Sequence, residues 1–332
     1  MLILNQSDVD ALLPMAKCVD LMDATFRALA NGETILPLRT IMKIPTSNAF
    51  AVMPGYINDP PTIGAKIITV FPGNHNTPFD AHQGAVLLFD PNNGSLSAIL
   101  DATSITTIRT AACSGVATRA LAKQGASSLA ILGAGVQGHS HLEAMCAVRP
   151  IKTLRVWSRN AERADALAKV GREKFGLHTT VAAGADAAVR GAEIVCTTTA
   201  STEPVLFGDW LSPGAHVNAV GTSQPHAREI DSVTVVRSRL YGDRKESVLK
   251  EPGDIIVPLA DGDITPDHIV GEIGEVLIGR VAGRRGDDEI TLFKSLGLAI
   301  EDLASASFVV AEAQRTNRGT RVELGGARHA AH

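Results

Sequence analysis

Several classes of protein are excluded by what this sequence lacks. Its four cysteines, Cys18, Cys113, Cys146 and Cys196, are far apart and form no C-x-x-C pair. That spacing argues against a disulfide framework or a zinc site, so no metal is expected and the thiols are read as small buried hydrophobes. Basic and acidic residues, 31 and 35 in number, are scattered and leave a formal net charge of -4. With no basic stripe to follow a phosphate backbone, nucleic acid is not an expected partner. Met1 to Asp8 lacks the basic start and apolar stretch of a signal peptide, and no later apolar run approaches a bilayer span. Residence in the cytosol, away from membranes, is therefore expected. There is no internal repeat.

What is present is an α/β pattern. At 332 residues and 45% hydrophobic content, the chain can build a large core and suits two domains better than one. Its middle alternates short apolar or β-branched runs with helical stretches, as a parallel sheet flanked by helices does. Strands are predicted at Ser128–Leu132, Leu154–Ser158, His178–Val181, Ile194–Thr198, His216–Val220 and Val233–Val236, with helices at Val136–Ala147 and from Asn160 to about Phe175. Before them, Pro37, Pro45, Pro54, Pro60, Pro61, Pro72 and Pro78 exclude long helices and predict an antiparallel sheet with frequent turns. Strand-like runs cover Ala65–Phe71 and Gly84–Asp90, and Asn92-Asn93-Gly94 reads as a hairpin turn leading to Leu96–Leu100. Thr103–Lys123 and Leu296–Glu312 read as helices, and Gly325–His332 as a loose end.

Gly133-Ala134-Gly135-Val136-Gln137-Gly138 follows a predicted strand and opens a predicted helix. In a dinucleotide-binding turn the first glycine permits the bend, the second admits the pyrophosphate, and the third lets helix and strand pack. Free N–H groups and the helix dipole then hold the phosphates. Where NAD enzymes place an acid for the adenosine ribose, this chain reads Trp157-Ser158-Arg159-Asn160. A hydroxyl donor and a guanidinium suit a 2'-phosphate, which points to NADPH, with NADH possible.

Further segments make the chain recognisable: Met53-Pro54, Gly64-Ala65-Lys66, Ile108-Arg109-Thr110-Ala111-Ala112, Asn218-Ala219-Val220-Gly221 and Lys294-Ser295-Leu296-Gly297-Leu298-Ala299-Ile300-Glu301-Asp302. Together with the glycine turn, and in this order, they resemble the ornithine cyclodeaminase and mu-crystallin family over nearly the whole chain. The resemblance implies a Rossmann-type NAD(P)-binding domain, residues 120–302, inserted into a smaller α+β substrate-binding and dimerisation domain, residues 1–119 plus 303–332. It implies a homodimer acting on a small imino or amino acid. Arg39 and Lys66 match the family's ligands for the substrate carboxylate, and Arg109 matches an arginine that reaches substrate or cofactor. A small acid buried beside a nicotinamide needs such fixed cations. Ser223 and Ser295 are expected to orient substrate or nicotinamide, and His82 lies near a family cofactor contact. Asn160, Thr198, Val220 and Gly221 complete the cofactor set with Gly133, Gly135, Val136, Gln137, Gly138, Ser158 and Arg159.

The chain departs from the cyclodeaminase pattern twice. A glutamate two residues before the Met-Pro pair is replaced by Ala51, and an aspartate after the Val-Gly-Gly segment by Ser223. Neither residue can serve as a carboxylate base or anchor an ammonium with a full charge. The expectation is a reductase of a cyclic ketimine carboxylate, five- or six-membered, giving proline or pipecolate. Lys66 is the candidate proton relay, its pKa lowered beside Arg39 and Arg109, or else only a ligand of the carboxylate. An alanine-dehydrogenase-like or N-alkyl-amino-acid-forming enzyme, a cyclodeaminase and a non-catalytic ligand-binding protein remain as alternatives.

Overall fold

A computed structural model describes residues 1–45, 48–74 and 77–325. The chain divides into two compact units. One comprises Met1–Leu21, Asn31–Arg109 and the stretch that begins at Leu298; the other comprises Met22–Ala30 and Thr110–Gly297. All of the loose end expected at Gly325–His332 except Gly325 lies outside the described residues.

The first unit is built on a mixed sheet of β1 (Leu2–Leu4), β2 (Thr34–Ile35), β3 (Thr40–Ile44), β4 (Asn48–Ile57), β5 (Thr62–Val70), β6 (His82–Phe89) and β7 (Leu96–Asp101), closed at one edge by Thr320–Arg321. From β4 to β7 consecutive strands pair antiparallel, the arrangement that the Pro-punctuated sequence predicts. Pro54 falls between the stretches of β4 that pair with β2 and β3, where that edge has no ladder partner and a strand tolerates proline. The β6–β7 turn is the expected hairpin, with Gly94 at φ 77° and the Asp90 N–H donating to the Ser95 carbonyl at 2.8 Å. Helices α1 (Gln6–Leu12) and α2 (Met15–Ala30) precede β2, and α3 (Ala102–Leu121) follows β7.

The C-terminal helix, Ala299–Thr316, packs on β4, β5 and β6. Gly55 of β4 makes room for it, since a Cβ there would lie 3.1 Å from Leu303. The helix buries Ile300, Leu303, Ala306 and Val309, as an apolar face should. It also buries Glu301 and Asp302 completely. Acids on a buried helix face are costly unless something pairs them.

The second unit is a doubly wound sheet in which every strand is parallel: β8 (Ser128–Leu132), β9 (Thr153–Trp157), β10 (His178–Val181), β11 (Ile194–Thr197), β12 (His216–Ala219), β13 (Ser238–Gly242), β14 (Ile269–Glu272) and β15 (Ile290–Lys294). The spatial order is β10-β9-β8-β11-β12-β15-β13-β14. Strand order reverses between β8 and β11, and a crevice opens outside the carboxyl ends at such a point. Helices α4 (Val136–Val148) and α5 (Ala161–Phe175) follow β8 and β9, within a residue of the sequence expectation. Asn160 is the cap of α5 rather than its first residue, its side chain accepting from the Arg163 N–H at 2.9 Å.

One predicted strand is overturned. Ser232–Val236 is a helix, and the strand comes afterwards as β13. Asp231 caps that helix, accepting from the Thr234 N–H at 2.8 Å and from its hydroxyl at 2.6 Å. The cap holds the β-branched run helical against its own propensity. Cys18, Cys113 and Cys196 are buried and Cys146 is half-buried, each a free thiol. No helix among the described residues is long and apolar enough to cross a membrane.

Candidate active site

Two sites emerge, one in each unit. In the parallel unit the turn after β8 has the geometry of a dinucleotide cradle. Gly133 adopts φ 105°, and its N–H donates to the Trp157 carbonyl at 2.9 Å, which pins the turn beside Ser158 and Arg159. A Cβ on Gly138 would strike the Gly133 carbonyl oxygen, whereas one on Gly135 would meet nothing within 4 Å. Nothing among the described residues therefore explains Gly135, while a ligand backed against the turn would. Gly135 is also the cap of α4 and offers no side chain to its N–H groups, which are left for an anion.

Other expected cofactor positions lie in this turn or just beyond the carboxyl ends of strands in the same sheet. The Thr198 hydroxyl donates to the Gly133 carbonyl at 2.9 Å. Buried Oε1 of Gln137 and Oγ of Ser295 have no hydrogen-bond partner among the described residues, and such atoms call for a ligand or water. Ser158 and the exposed Arg159 follow β9, with the Ser158 hydroxyl accepting from the Asn160 N–H at 3.3 Å. Val220 and Gly221 leave β12, and Ser223 beyond them is exposed.

A buried network that the sequence reading did not assign holds these strand ends. Glu229 accepts from the N–H groups of Thr199 and Gly221, both at 2.5 Å, and from the Thr197 hydroxyl at 2.9 Å. Asp254 in turn accepts from the Glu229 N–H at 2.8 Å and from Lys294 Nζ at 2.8 Å. Burial pushes the Glu229 pKa up, and the Lys294 ammonium opposes the shift.

In the mixed-sheet unit, Lys66 stands in the middle of β5 and is 2% exposed. Its Nζ donates to Asp302 Oδ1 at 3.0 Å and to the Thr106 hydroxyl at 2.6 Å. Arg109, on α3, donates from Nε to the same Asp302 oxygen at 3.0 Å and from Nη1 to Glu301 Oε2 at 2.7 Å. The four side chains come from three elements, and their formal charges sum to zero. Above them opens a small pocket of about 200 Å³, open solvent included, lined by Lys66, Ile68, His82, Gln83, Thr103 and Thr106 among others.

Burial is the largest cause of a Lys66 pKa lowered to about 8; Asp302 opposes it and Arg109 adds to it. The lowered value and the part played by Arg109 follow the sequence-based expectation, with burial added as the larger cause. Arg39 is half-buried just before β3. His82 keeps an exposed edge, yet crowding by the protein and then the Lys66 ammonium hold its pKa below the usual imidazole value.

The β4–β5 register places Ala51 opposite Ile68 and Met53 opposite Lys66, so Ala51 shares a sheet face with Lys66 two positions away. A glutamate at Ala51 would project on that same face. None is there. Glu301 and Asp302 were within reach of sequence reasoning: adjacent acids between Ile300 and Leu303 on the apolar face of a helix demand buried cations. First-turn acids ordinarily complement the helix dipole, and that commoner role hid this one.

A glycine cradle on a doubly wound sheet and a buried lysine under a small pocket on a second sheet together define a nicotinamide-dependent oxidoreductase. The chain belongs to the ornithine cyclodeaminase/mu-crystallin family, whose model matches residues 1–317. It is 40% identical to the ketimine reductase mu-crystallin of Mus musculus over 287 residues, 86% of this chain and 88% of that one. Among solved structures it resembles a Thermococcus litoralis Delta(1)-pyrroline-2-carboxylate reductase in complex with NADH and L-proline, with a TM-score of 0.95 and 37% identity over 97% of this chain and 100% of that one. An archaeal alanine dehydrogenase dimer with bound NAD matches with a TM-score of 0.93 and 30% identity, covering 98% of this chain and 99% of the other.

Proposed function

We propose that this protein reduces a cyclic ketimine carboxylate, 1-pyrroline-2-carboxylate or its six-membered homologue, to proline or pipecolate with NADPH. The observation that carries the reading is the buried Lys66 ammonium lining a small pocket on the sheet face where Ala51 replaces an acid. Proteins similar to this one carry the names ketimine reductase and pyrroline-2-carboxylate reductase, which supports the substrate class.

The dinucleotide, bound at the Gly133–Gly138 turn, supplies the hydride. Lys66 passes a proton to the ring nitrogen, which makes the C=N carbon electrophilic, and takes another from solvent. The substrate carboxylate meets a cluster whose cations are already balanced by Glu301 and Asp302, so it needs one further positive charge, the role assigned to Arg39. Ser158 and Arg159 bind the 2'-phosphate that distinguishes NADPH, although the two solved structures above hold NADH and NAD.

Purified protein given NADPH and either ketimine is expected to oxidise the cofactor with formation of the amino acid. With ornithine and oxidised cofactor it is expected to release no ammonia, because Ala51 and Ser223 supply no carboxylate to strip and aim the distal amine. Ammonia release at a rate comparable to ketimine reduction would overturn the assignment. Pyruvate with ammonia or an amine, tested in the same panel, separates this activity from an alanine-dehydrogenase-like one.

The active species is proposed to be a homodimer. The first unit exposes Ile35, Leu38, Ile41 and Met42 on and between β2 and β3, an apolar strip at a sheet edge that a second copy would cover. Light scattering is expected to return twice the chain mass, and a strict monomer would count against it.

A further inference from the structure

Asp302 occupies an unusual place in the buried cluster. Its side chain is fully buried in the first turn of the C-terminal helix, where the dipole favours a negative charge. One oxygen, Oδ1, carries both of its ion pairs, to Lys66 of β5 and to Arg109 of α3, each at 3.0 Å. The other, Oδ2, has no hydrogen-bond partner among the described residues. A group placed only to fill the core would be apolar, since a buried ion pair gains little stability over a well-packed hydrophobic replacement. The arrangement instead restricts one atom. A lysine ammonium has three N–H bonds in tetrahedral directions. Asp302 and Thr106 take two, and the third is left for whatever enters the pocket that Lys66 lines.

We propose that Asp302 is a positioning residue for the reaction: by gathering Lys66 and Arg109 on one oxygen it fixes the direction of the remaining Lys66 N–H and supplies the counter-charge that a buried ammonium needs. The inference rests on the reading that Lys66 acts on substrate. The charged groups that face Lys66 are Arg109 from α3, Glu301 and Asp302 from the C-terminal helix, and His82 from β6. Of these, Asp302 is the carboxylate in direct contact, and its effect on Lys66 opposes that of burial.

The test compares wild type with Asp302→Asn, which keeps the shape and removes the charge. With lysine side chains labelled with 15N and the Lys66 signal identified by its loss in Lys66→Met, the Lys66 titration midpoint is expected to move down by about one pH unit or more. The basic limb of kcat/KM for ketimine reduction should move with it, so that activity at pH 8 falls about fivefold or more while NADPH affinity stays within about twofold. An unmoved Lys66 midpoint would overturn the proposal whatever the substrate proves to be. If wild type reduces no ketimine, the functional reading fails and the titration still decides the role of Asp302. Should Asp302→Asn not fold, wild type labelled also with 13C at aspartate carboxyls decides the point: one carboxyl signal must follow the Lys66 midpoint, and its absence overturns the proposal.

Discussion

Lys66→Met is expected to lower kcat/KM for ketimine reduction by about a hundredfold or more, since general acid catalysis contributes roughly 10²–10⁴. Methionine keeps the length and apolar stem of lysine but carries no proton and no charge. The Gly133–Gly138 turn belongs to the other compact unit, so NADPH affinity should stay within about twofold of wild type. That pairing of results separates a loss of chemistry from a loss of folding.

The wild-type pH profile carries a matching signature. The Lys66 pKa is lowered to about 8, first by burial, so the ammonium is present below that pH and lost above it. A proton donor must hold its proton, hence kcat/KM should stay level on the acid side of about pH 8 and fall tenfold per unit on the basic side. Retention of most activity by Lys66→Met, or a limb that survives the substitution, would remove Lys66 from the mechanism.

The second large effect concerns the cofactor. Wild type is expected to prefer NADPH, and Arg159→Asp to reverse the preference. Charge-assisted hydrogen bonds to a phosphate are worth roughly 1.5–3 kcal/mol, about one to two powers of ten in affinity, and a carboxylate in the same place adds repulsion. Arg159 is exposed and follows β9, and its side chain makes no hydrogen bond or ion pair among the described residues, so the substitution should leave stability nearly unchanged. Ratios of kcat/KM for NADPH and NADH, measured on both proteins, decide the matter. Equal use of the two cofactors by wild type would sink the Ser158–Arg159 reading, and the NADH and NAD of the similar structures make this a sharp test.

The nucleotide half was legible in the sequence almost residue by residue from β8 to β12, while β13, β14 and β15 went unread. β8, the glycine turn, α4 and β9 are local structures whose chemistry is written in consecutive residues: apolar strands, a glycine at φ 105°, a helix opened without a side-chain cap. The misreading of Ser232–Val236 has an equally local cause, the Asp231 cap, which β-branched propensity masked. In the first unit, the hairpin at Gly94 and the antiparallel run through β4–β7 followed from turn residues and proline spacing, while α1 and α2 went unread.

By itself the sequence determined which chemical groups are available: a dinucleotide turn, a cation at position 66, an alanine at 51 and a serine at 223 where a cyclodeaminase carries acids. Only the tertiary structure decided what surrounds Lys66. Asp302 is 236 residues away and Arg109 is 193 residues from Asp302, and no pattern along the chain shows that one carboxylate oxygen joins both. Nor does residue type reveal the pKa of a lysine, because its shift follows from lost hydration and from the charges brought near it by packing. Periodicity identifies the buried face of a helix; which charges meet inside it depends on how the sheet and helix pack.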